Sequence, residues 1–521
     1  MSLLVDVPLQ ILLAAVSATL IGCILLYVTR FTSADDLPPG PRPLPLIGNA
    51  HQFPMKDVER TFAGWSDQYG DIIFLRIFTR PMLIVNSTTA ARDLLEKRSA
   101  KSSDRPSSVL MTDLFGWGNV IATLPMGERL NKHRRWIHST FFTEGSLSQF
   151  ASAQSRETRT LIGGLLRTPE RHAAHVHRLA SSLVLEALYG HTITSEDDEY
   201  LTYAEQALIG TAEAAAPGAA IVDFLPFLRH VPAWFPGAEF KRRAIKTKAA
   251  VHLAHTKPYE LVERLMASGD EKPSLVRSLI EQYTAKGTLA AERDDIMNVG
   301  AITYVAAIDT TQSVLLNFIL AMVLHPEVFV KAQEEIDRVI GNDRLPEPSD
   351  RESLPYLECI LREVYRWNPP GPLGLPHVLS EEDTYRGYRL PKGCMILANL
   401  WFMTHNAELY PDPESFRPER FWGLSEEKLE ELCPRNVIFG YGRRICPGRR
   451  FADRSIWLAM AAMIATLDIR KARDASGEEI TPRMAFTSGS VTSHAEDFVC
   501  SISPRAAATS LIASIATSVT P

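Results

Sequence analysis

Cysteine is scarce, and what there is does not cluster. The 6 cysteines in the chain, Cys23, Cys359, Cys394, Cys433, Cys446 and Cys500, are too dispersed for a disulfide framework and lack metal-finger spacing. A stapled secreted scaffold is excluded, and a reducing compartment suits them better. An excess of positive charge is missing too: Lys plus Arg number 55 against 61 Asp plus Glu, a formal charge of -6. No polyanionic partner is expected, and no nucleic-acid binding. Strand and helix signals do not alternate with a constant period, which argues against both a barrel and a doubly wound sheet.

Charge is absent altogether from residues 7–28, a stretch long enough to cross a hydrocarbon core of about 30 Å as a helix. It reads as a transmembrane anchor rather than a cleaved signal, because no short basic region and cleavage site accompany it. Asp6 precedes it while Arg30 and Arg42 follow, a bias that places the rest of the chain in the cytosol. Residues 29–49 form a proline-rich hinge around Leu37-Pro38-Pro39-Gly40-Pro41-Arg42-Pro43, in which fixed φ angles make a stiff spacer. Residues 50–505 read as one large domain, mainly α with a small β component, and 506–521 as a disordered, dispensable tail of small and weakly apolar residues. Asn86-Ser87-Thr88 has the form of an N-glycosylation acceptor, expected to stay unmodified in a cytosol-facing body.

Within the domain, alternating runs at 72–77 and 82–85, with Arg80-Pro81 between them, predict a strand pair. Apolar residues three to four apart predict helices over 88–97, 148–166, 173–189 and 241–266. Two connections are unusually apolar, 102–124 and 222–236; such loops roof a pocket, touch a membrane or fill the core. Residues 296–324 form a helical segment whose only charge is Asp309, apolar nearly all round and therefore central. In Ala306-Ala307-Ile308-Asp309-Thr310-Thr311, small residues admit another group close to the backbone, and a carboxyl beside a hydroxyl can relay a proton. The same six residues also fit a structural Asp and a Thr bonded to the carbonyl one turn back.

Glu363 and Arg366 stand three apart on one helix face, as an exposed or a buried ion pair. The prolines of 410–421, which include Arg420, exclude a regular element there. Phe439-Gly440-Tyr441-Gly442-Arg443-Arg444-Ile445-Cys446-Pro447-Gly448 joins three glycines, two arginines and one cysteine just ahead of a helical run at 451–467. Glycine lets the backbone pass close to a bulky group, a helix N-terminus favours a thiolate, and arginine matches carboxylates in geometry and charge.

From the hinge to near Arg505, these ordered motifs resemble the cytochrome P450 superfamily, in particular the membrane-bound microsomal type of fungi and basidiomycete-like members of it. Phe439, Gly442, Arg444, Cys446 and Gly448 match the family's cysteine signature, Glu363 and Arg366 its Glu-x-x-Arg pair, Arg420 the third member of an ion-paired triad, and 306–310 its oxygen-binding groove. The resemblance implies a cytochrome P450 fold holding haem b (iron protoporphyrin IX), with Cys446 as axial ligand of the iron. Arg134, His377, Phe439, Arg444 and Gly448 would contact the cofactor, Glu363, Arg366 and Arg420 would be structural, and Asp309 and Thr310 would handle protons. Val109, Leu114, Phe115, Ala301, Val305, Pro372, Leu373, Ser488 and Gly489 would line the substrate pocket. Two departures stand out: Leu130 where the family usually has Trp, removing one propionate donor, and Ala307 where glycine is usual.

The implied activity is insertion of one atom of O2 into a hydrophobic terpenoid, fatty or aromatic compound of secondary metabolism. Electrons would come from NADPH through a separate NADPH-cytochrome reductase, with cytochrome b5 as a further partner. The protein would be single-pass in the endoplasmic reticulum membrane, held by the lipid bilayer with its catalytic domain in the cytosol. Alternatives are broad xenobiotic or polycyclic aromatic oxidation, a haem-thiolate isomerase, dehydratase or peroxide-driven enzyme, and a haem-binding sensor or scaffold with little turnover.

Overall fold

In the computed structural model, residues 36–518 are described except for 196, 215–220, 271 and 488–490, with four isolated positions before residue 36. The anchor expected over 7–28, the first part of the hinge, and Ser488 and Gly489 lie outside the described residues. The longer helices are α1 (Val58–Tyr69), α2 (Glu128–Phe141), α3 (Ala151–Arg167), α4 (His172–Tyr189), α5 (Glu199–Ala214), α6 (Glu239–Ala267), α7 (Leu275–Ala285), α8 (Leu289–Leu324), α9 (Pro326–Val339), α10 (Pro355–Trp367), α11 (Arg449–Thr466) and α12 (Thr509–Ser518).

The 36-residue α8 is the axis of the molecule. Its residues from Ile296 onward are apolar on every side, so it reaches a stable state only when other helices cover it. Helices α4, α7, α10 and α11 do so, building one large core with Tyr189, Tyr304, Phe318 and Trp457 in it. Close approach of α4 depends on Gly300, where a Cβ would lie 2.6 Å from Tyr189 Oη. Among the described residues α8 is also the one helix long and apolar enough to cross a bilayer, but 72% of its most apolar window is buried inside the protein.

The predicted strand pair forms as β1 (Ile72–Ile77) and β2 (Arg80–Val85), in antiparallel register with Ile73 opposite Ile84. Arg80 and Pro81 belong to β2 rather than to the turn; Pro81 lies opposite Arg76 beside the turn, before β2 begins to pair with β6 at Met82, where a missing N–H is tolerated. β3 (His377–Val378), β4 (Asp383–Tyr385), β5 (Tyr388–Leu390) and β6 (Met395–Ala398) follow, giving a four-stranded sheet of order β1-β2-β6-β3 and a separate β4-β5 hairpin. A third sheet of β7 (Leu467–Arg473), β8 (Glu479–Ile480) and β9 (Cys500–Pro504) continues directly from α11. The helix expected over 88–97 is one α turn followed by a π-helical turn, Arg92–Lys97.

One expectation is overturned, and another loses its force as a test. The segment after Arg505, expected to be a disordered tail, forms α12, which packs on α3 with Leu511 and Ile515 buried. Those two residues are four apart, so one short apolar stripe is enough to hold the segment down. The glycan acceptor site is closed by the fold: Asn86 is 1% exposed, donates to Phe62 O at 2.8 Å and accepts from Asn399 Nδ2 at 3.0 Å. A buried Asn86 offers no acceptor in the folded protein on either side of a membrane, so the site carries no information about sidedness.

Candidate active site

The cysteine loop is closed by its own backbone. Cys446 N–H donates to Phe439 O at 2.8 Å, and the chain turns through Gly440 at φ 77° and Gly442 at φ 53°, values side-chain-bearing residues rarely adopt. A Cβ on Gly442 would lie 2.3 Å from Leu95 O, so the π-helical turn packs directly on the loop. Phe439 meets Tyr365 edge-on at 5.8 Å, fixing the loop against α10. Burial pushes the Cys446 thiol up; N–H groups of Gly448 and Arg449 and the charges of Arg134 and Arg449 pull the other way. The help expected from the N-terminus of α11 is present, but desolvation outweighs it, and a bound metal ion's own charge would reverse that balance.

Around this loop the structure gathers basic side chains. Arg134, from α2, donates to Ile445 O at 2.8 Å, and its pKa is lowered by burial. His377, first residue of β3, bonds Ser102 O through Nδ1 at 2.8 Å; burial and the neighbouring Arg105 and Arg444 pull it down to about 3. Arg444 donates to Ser103 O at 2.7 Å, Ile121 O at 3.0 Å and Leu124 O at 2.6 Å, and its pKa falls to about 10 through burial and repulsion from Arg134. It thus ties the 102–124 loop to the cysteine loop as well as supplying charge. Arg105, which the sequence did not single out, is the fourth member. It donates to Leu375 O and Pro376 O at 3.0 and 2.6 Å, has a buried Nε without a partner, and is pulled down to about 9. The signal for Arg105 was a lone Asp-Arg-Pro in an apolar loop, which no spacing connects to Cys446. Trp136 does not replace the donor lost at Leu130: it is enclosed in the core, stacked on His133 with ring centroids 5.6 Å apart.

The ion-paired triad is buried. Glu363 and Arg366 are 0% exposed; Arg366 Nε and Nη2 reach the two Glu363 oxygens at 2.7 and 2.8 Å, and Arg420 Nε reaches Glu363 Oε1 at 3.1 Å. The remaining guanidinium donors hold the proline-rich coil through the carbonyls of Thr404, Pro411, Asp412, Pro413 and Ser415. These charges organise backbone and present no group for proton transfer.

Helix α8 has one open face. Ala306 is exposed and Ile302, Thr303, Ala307 and Thr310 are partly exposed, whereas Ala301, Tyr304, Val305, Ile308 and Thr311 are buried. At about 100° per residue these sets lie on different sides. Ala301 and Val305, expected in the pocket wall, are therefore on the wrong side, and Ile302 and Thr303 take their place. Phe115 is also misassigned, being fully enclosed in the main core; Val109 and Leu114 stay partly exposed beside it. Pro372 is buried and Leu373 packs under the β1-β2 sheet. Thr310 Oγ1 donates to Ala306 O at 2.8 Å, while Asp309 lines a separate cavity with Val305, Ile308 and Gln312.

Buried guanidinium groups with few carboxylates to meet them require an anion. A group with two carboxylates and a metal seeking a thiolate satisfies both the cation cluster and Cys446, and haem has both. Among the described residues no set of three or more His, Cys, Asp or Glu could hold a metal; Cys446, in the glycine loop beside these basic groups, is the thiol that would serve as protein ligand to the haem iron. The site and fold define a haem-thiolate protein.

The comparisons specify it further. The chain matches the Cytochrome P450 family over residues 38–495. It is 41% identical to Cytochrome P450 monooxygenase 136 of Postia placenta across 96% of this chain and 94% of that protein. Cytochrome P450 monooxygenase 176 of the same fungus is 42% identical across 92% of each chain. Cytochrome P450 monooxygenase claT of Ampulloclitocybe clavipes is 38% identical across 94% of this chain and 96% of that protein. The chain belongs to the cytochrome P450 family and is a monooxygenase.

Proposed function

We propose that this monooxygenase oxygenates an uncharged, hydrophobic compound of fungal secondary metabolism, with electrons from NADPH delivered by a separate membrane-bound reductase. The observation that carries the substrate class is the open face of α8, where Ile302, Thr303, Ala306, Ala307 and Thr310 offer apolar surface and hydroxyl groups but no charge to anchor an ionic substrate. Haem bound through Cys446 supplies the oxygen chemistry, the thiolate pushing electron density that favours O–O cleavage. This chain's residues orient and supply protons. Thr310, bonded to Ala306 O, keeps its lone pairs for water on the open face, and Asp309 is one residue away as a proton store.

The uncharged stretch at 7–28 supports a single-pass anchor in the endoplasmic reticulum with the domain in the cytosol. Apolar side chains exposed on the body, Phe227, Trp234 and Phe235, suit a lipid surface. Release of the protein by carbonate or high salt alone would refute the anchor. Product analysis by mass spectrometry after co-expression with a fungal reductase tests the activity. In the same system Thr310→Ala is expected to keep the thiolate-type ferrous carbon monoxide band while giving less product and more peroxide per NADPH, within a general acid–base range of roughly 10²- to 10⁴-fold. Unchanged product per NADPH in the haem-loaded variant would reject the role of Thr310.

A further inference from the structure

Asp309 faces a cavity of about 500 Å³ lined by α4, α5 and α8 and open to solvent, turned about 100° around α8 from Thr310. Asp309 Oδ2 is buried there without a hydrogen-bond partner. On the opposite walls are His177, half-buried on α4, and Glu205, exposed on α5. The cavity is roomy enough for a chain of waters, and its polar groups give those waters partners.

We propose that Glu205 and His177 form the entry of a water-filled proton path from solvent to Asp309, and so set what share of the electrons ends in product. The proposal rests on the reading of Asp309 and Thr310 given above. A proton taken up by the Glu205 carboxylate passes to one ring nitrogen of His177, leaves from the other to cavity water, and reaches Asp309 Oδ2. The relay leaves His177 in its other tautomer, and it resets by exchanging that tautomer through cavity water or by turning its ring. Glu205 resets when it takes the next proton from solvent and Asp309 when it hands its proton on to water beside Thr310, so one proton moves inward per cycle without an oxidant or reductant.

Six other titratable groups surround His177. Arg171, His175 and Arg178 come from its own side, Glu205 from α5, Asp309 from α8 and His494 from the segment before β9. Arg178 is engaged by Glu157 and Ile193 O, both at 3.0 Å, His175 by Thr168, and His494 by Ala495 O. Burial lowers the pKa of His177 from 6.5, while Glu205 and Asp309 draw a proton onto it. The imidazole is thus neutral at rest and receptive from both carboxylate sides.

The test uses full-length, haem-loaded protein with its reductase. His177→Gln is expected to lower product per NADPH severalfold, with peroxide making up the difference, and to flatten the dependence of that ratio on pH below 7. The carbon monoxide band and substrate affinity should not change. Glu205→Gln should act in the same direction but more weakly. A readout independent of turnover is the pKa of His177 by NMR of labelled histidines: Asp309→Asn should shift it downward, because the carboxylate's field is removed. Wild-type coupling in His177→Gln, or an unshifted His177 in Asp309→Asn, would overturn the path. If His177→Gln does not fold, His177→Asn and the NMR titration decide the same way. Uncoupling by Thr310→Ala and Asp309→Asn but not by His177→Gln would remove the path alone; no uncoupling by any of the three would remove the underlying reading as well.

Discussion

Replacing Glu363 by Ala should remove the fold's hold on the haem-side coil. Glu363 accepts four hydrogen bonds, from Arg366 Nε and Nη2, Arg420 Nε and the Arg417 backbone N–H, at 2.7, 2.8, 3.1 and 2.7 Å. Truncation leaves two guanidinium groups facing only carbonyl oxygens inside the protein. Breaking a buried pair from one side costs about 3–5 kcal/mol, which lowers the ratio of folded to unfolded chain by roughly 10²- to 10⁴-fold. That is a large share of an ordinary protein's net stability, so the expected result is a collapse in yield of haem-loaded protein and an earlier denaturant midpoint for haem release. Haem content from the carbon monoxide difference spectrum, product per haem, and the release midpoint measure the two effects separately. The surviving holoprotein should turn over at close to the wild-type rate per haem. A normal midpoint with low turnover per haem would refute the reasoning and move Glu363 into the chemistry.

Cys446→Ser should abolish the thiolate-type carbon monoxide band in a folded protein, whereas Cys359→Ser, a buried thiol pushed up to about 12 by desolvation, should leave it intact. His405 is stacked on Trp401 with centroids 4.2 Å apart and is pulled down to about 3 by burial and the Arg366 charge. The unfolded chain takes up a proton below the ordinary imidazole value of 6.5 and the folded one does not until about 3, so stability falls as pH drops from 6.5. His405→Gln should make an acid-denaturation curve shallower by about 1.4 kcal/mol per pH unit. An unchanged slope would place the acid sensitivity elsewhere. Deleting 509–521 exposes the surface under Leu511 and Ile515, side chains worth about 1.5–3 kcal/mol each when fully buried, and should lower the thermal midpoint; a truncated protein as stable as the full chain would contradict the packing. Arg105→Ala should weaken haem retention on gel filtration while sparing Arg444's ties to the 102–124 loop.

What was legible in the sequence was whatever the covalent chain holds at a fixed distance. The glycines around Cys446, the Glu363-Arg366 pair and the nearly uncharged 296–324 helix all declare themselves within a few residues, and the structure keeps each of them. Arg105 was not legible, because folding of a long apolar loop carries it to Arg134, His377 and Arg444 from another part of the chain. The wall of α8 was misread for a different reason. In a helix apolar all round the hydrophobic pattern has no phase, so Ala301 and Val305 could not be told from Ile302 and Thr303 until the neighbouring helices covered one side. The C-terminal helix did carry a signal, Leu511 and Ile515 one turn apart, but its surrounding small residues masked it.

The two faces of α8 have a consequence for how such enzymes diversify. Thr303 and Ala307, more than a quarter-turn around the helix from Asp309, can be exchanged for larger or smaller residues to admit a new compound without altering the side that carries Asp309 and Gln312. On the proposed reading, mutations that retune substrate range and mutations that retune proton supply would fall on separate residues of one rigid element, with Thr310 on the open side next in sequence to Asp309. A lineage can explore new substrates by single steps on one side while the carboxyl proposed above as proton source is left in place on the other.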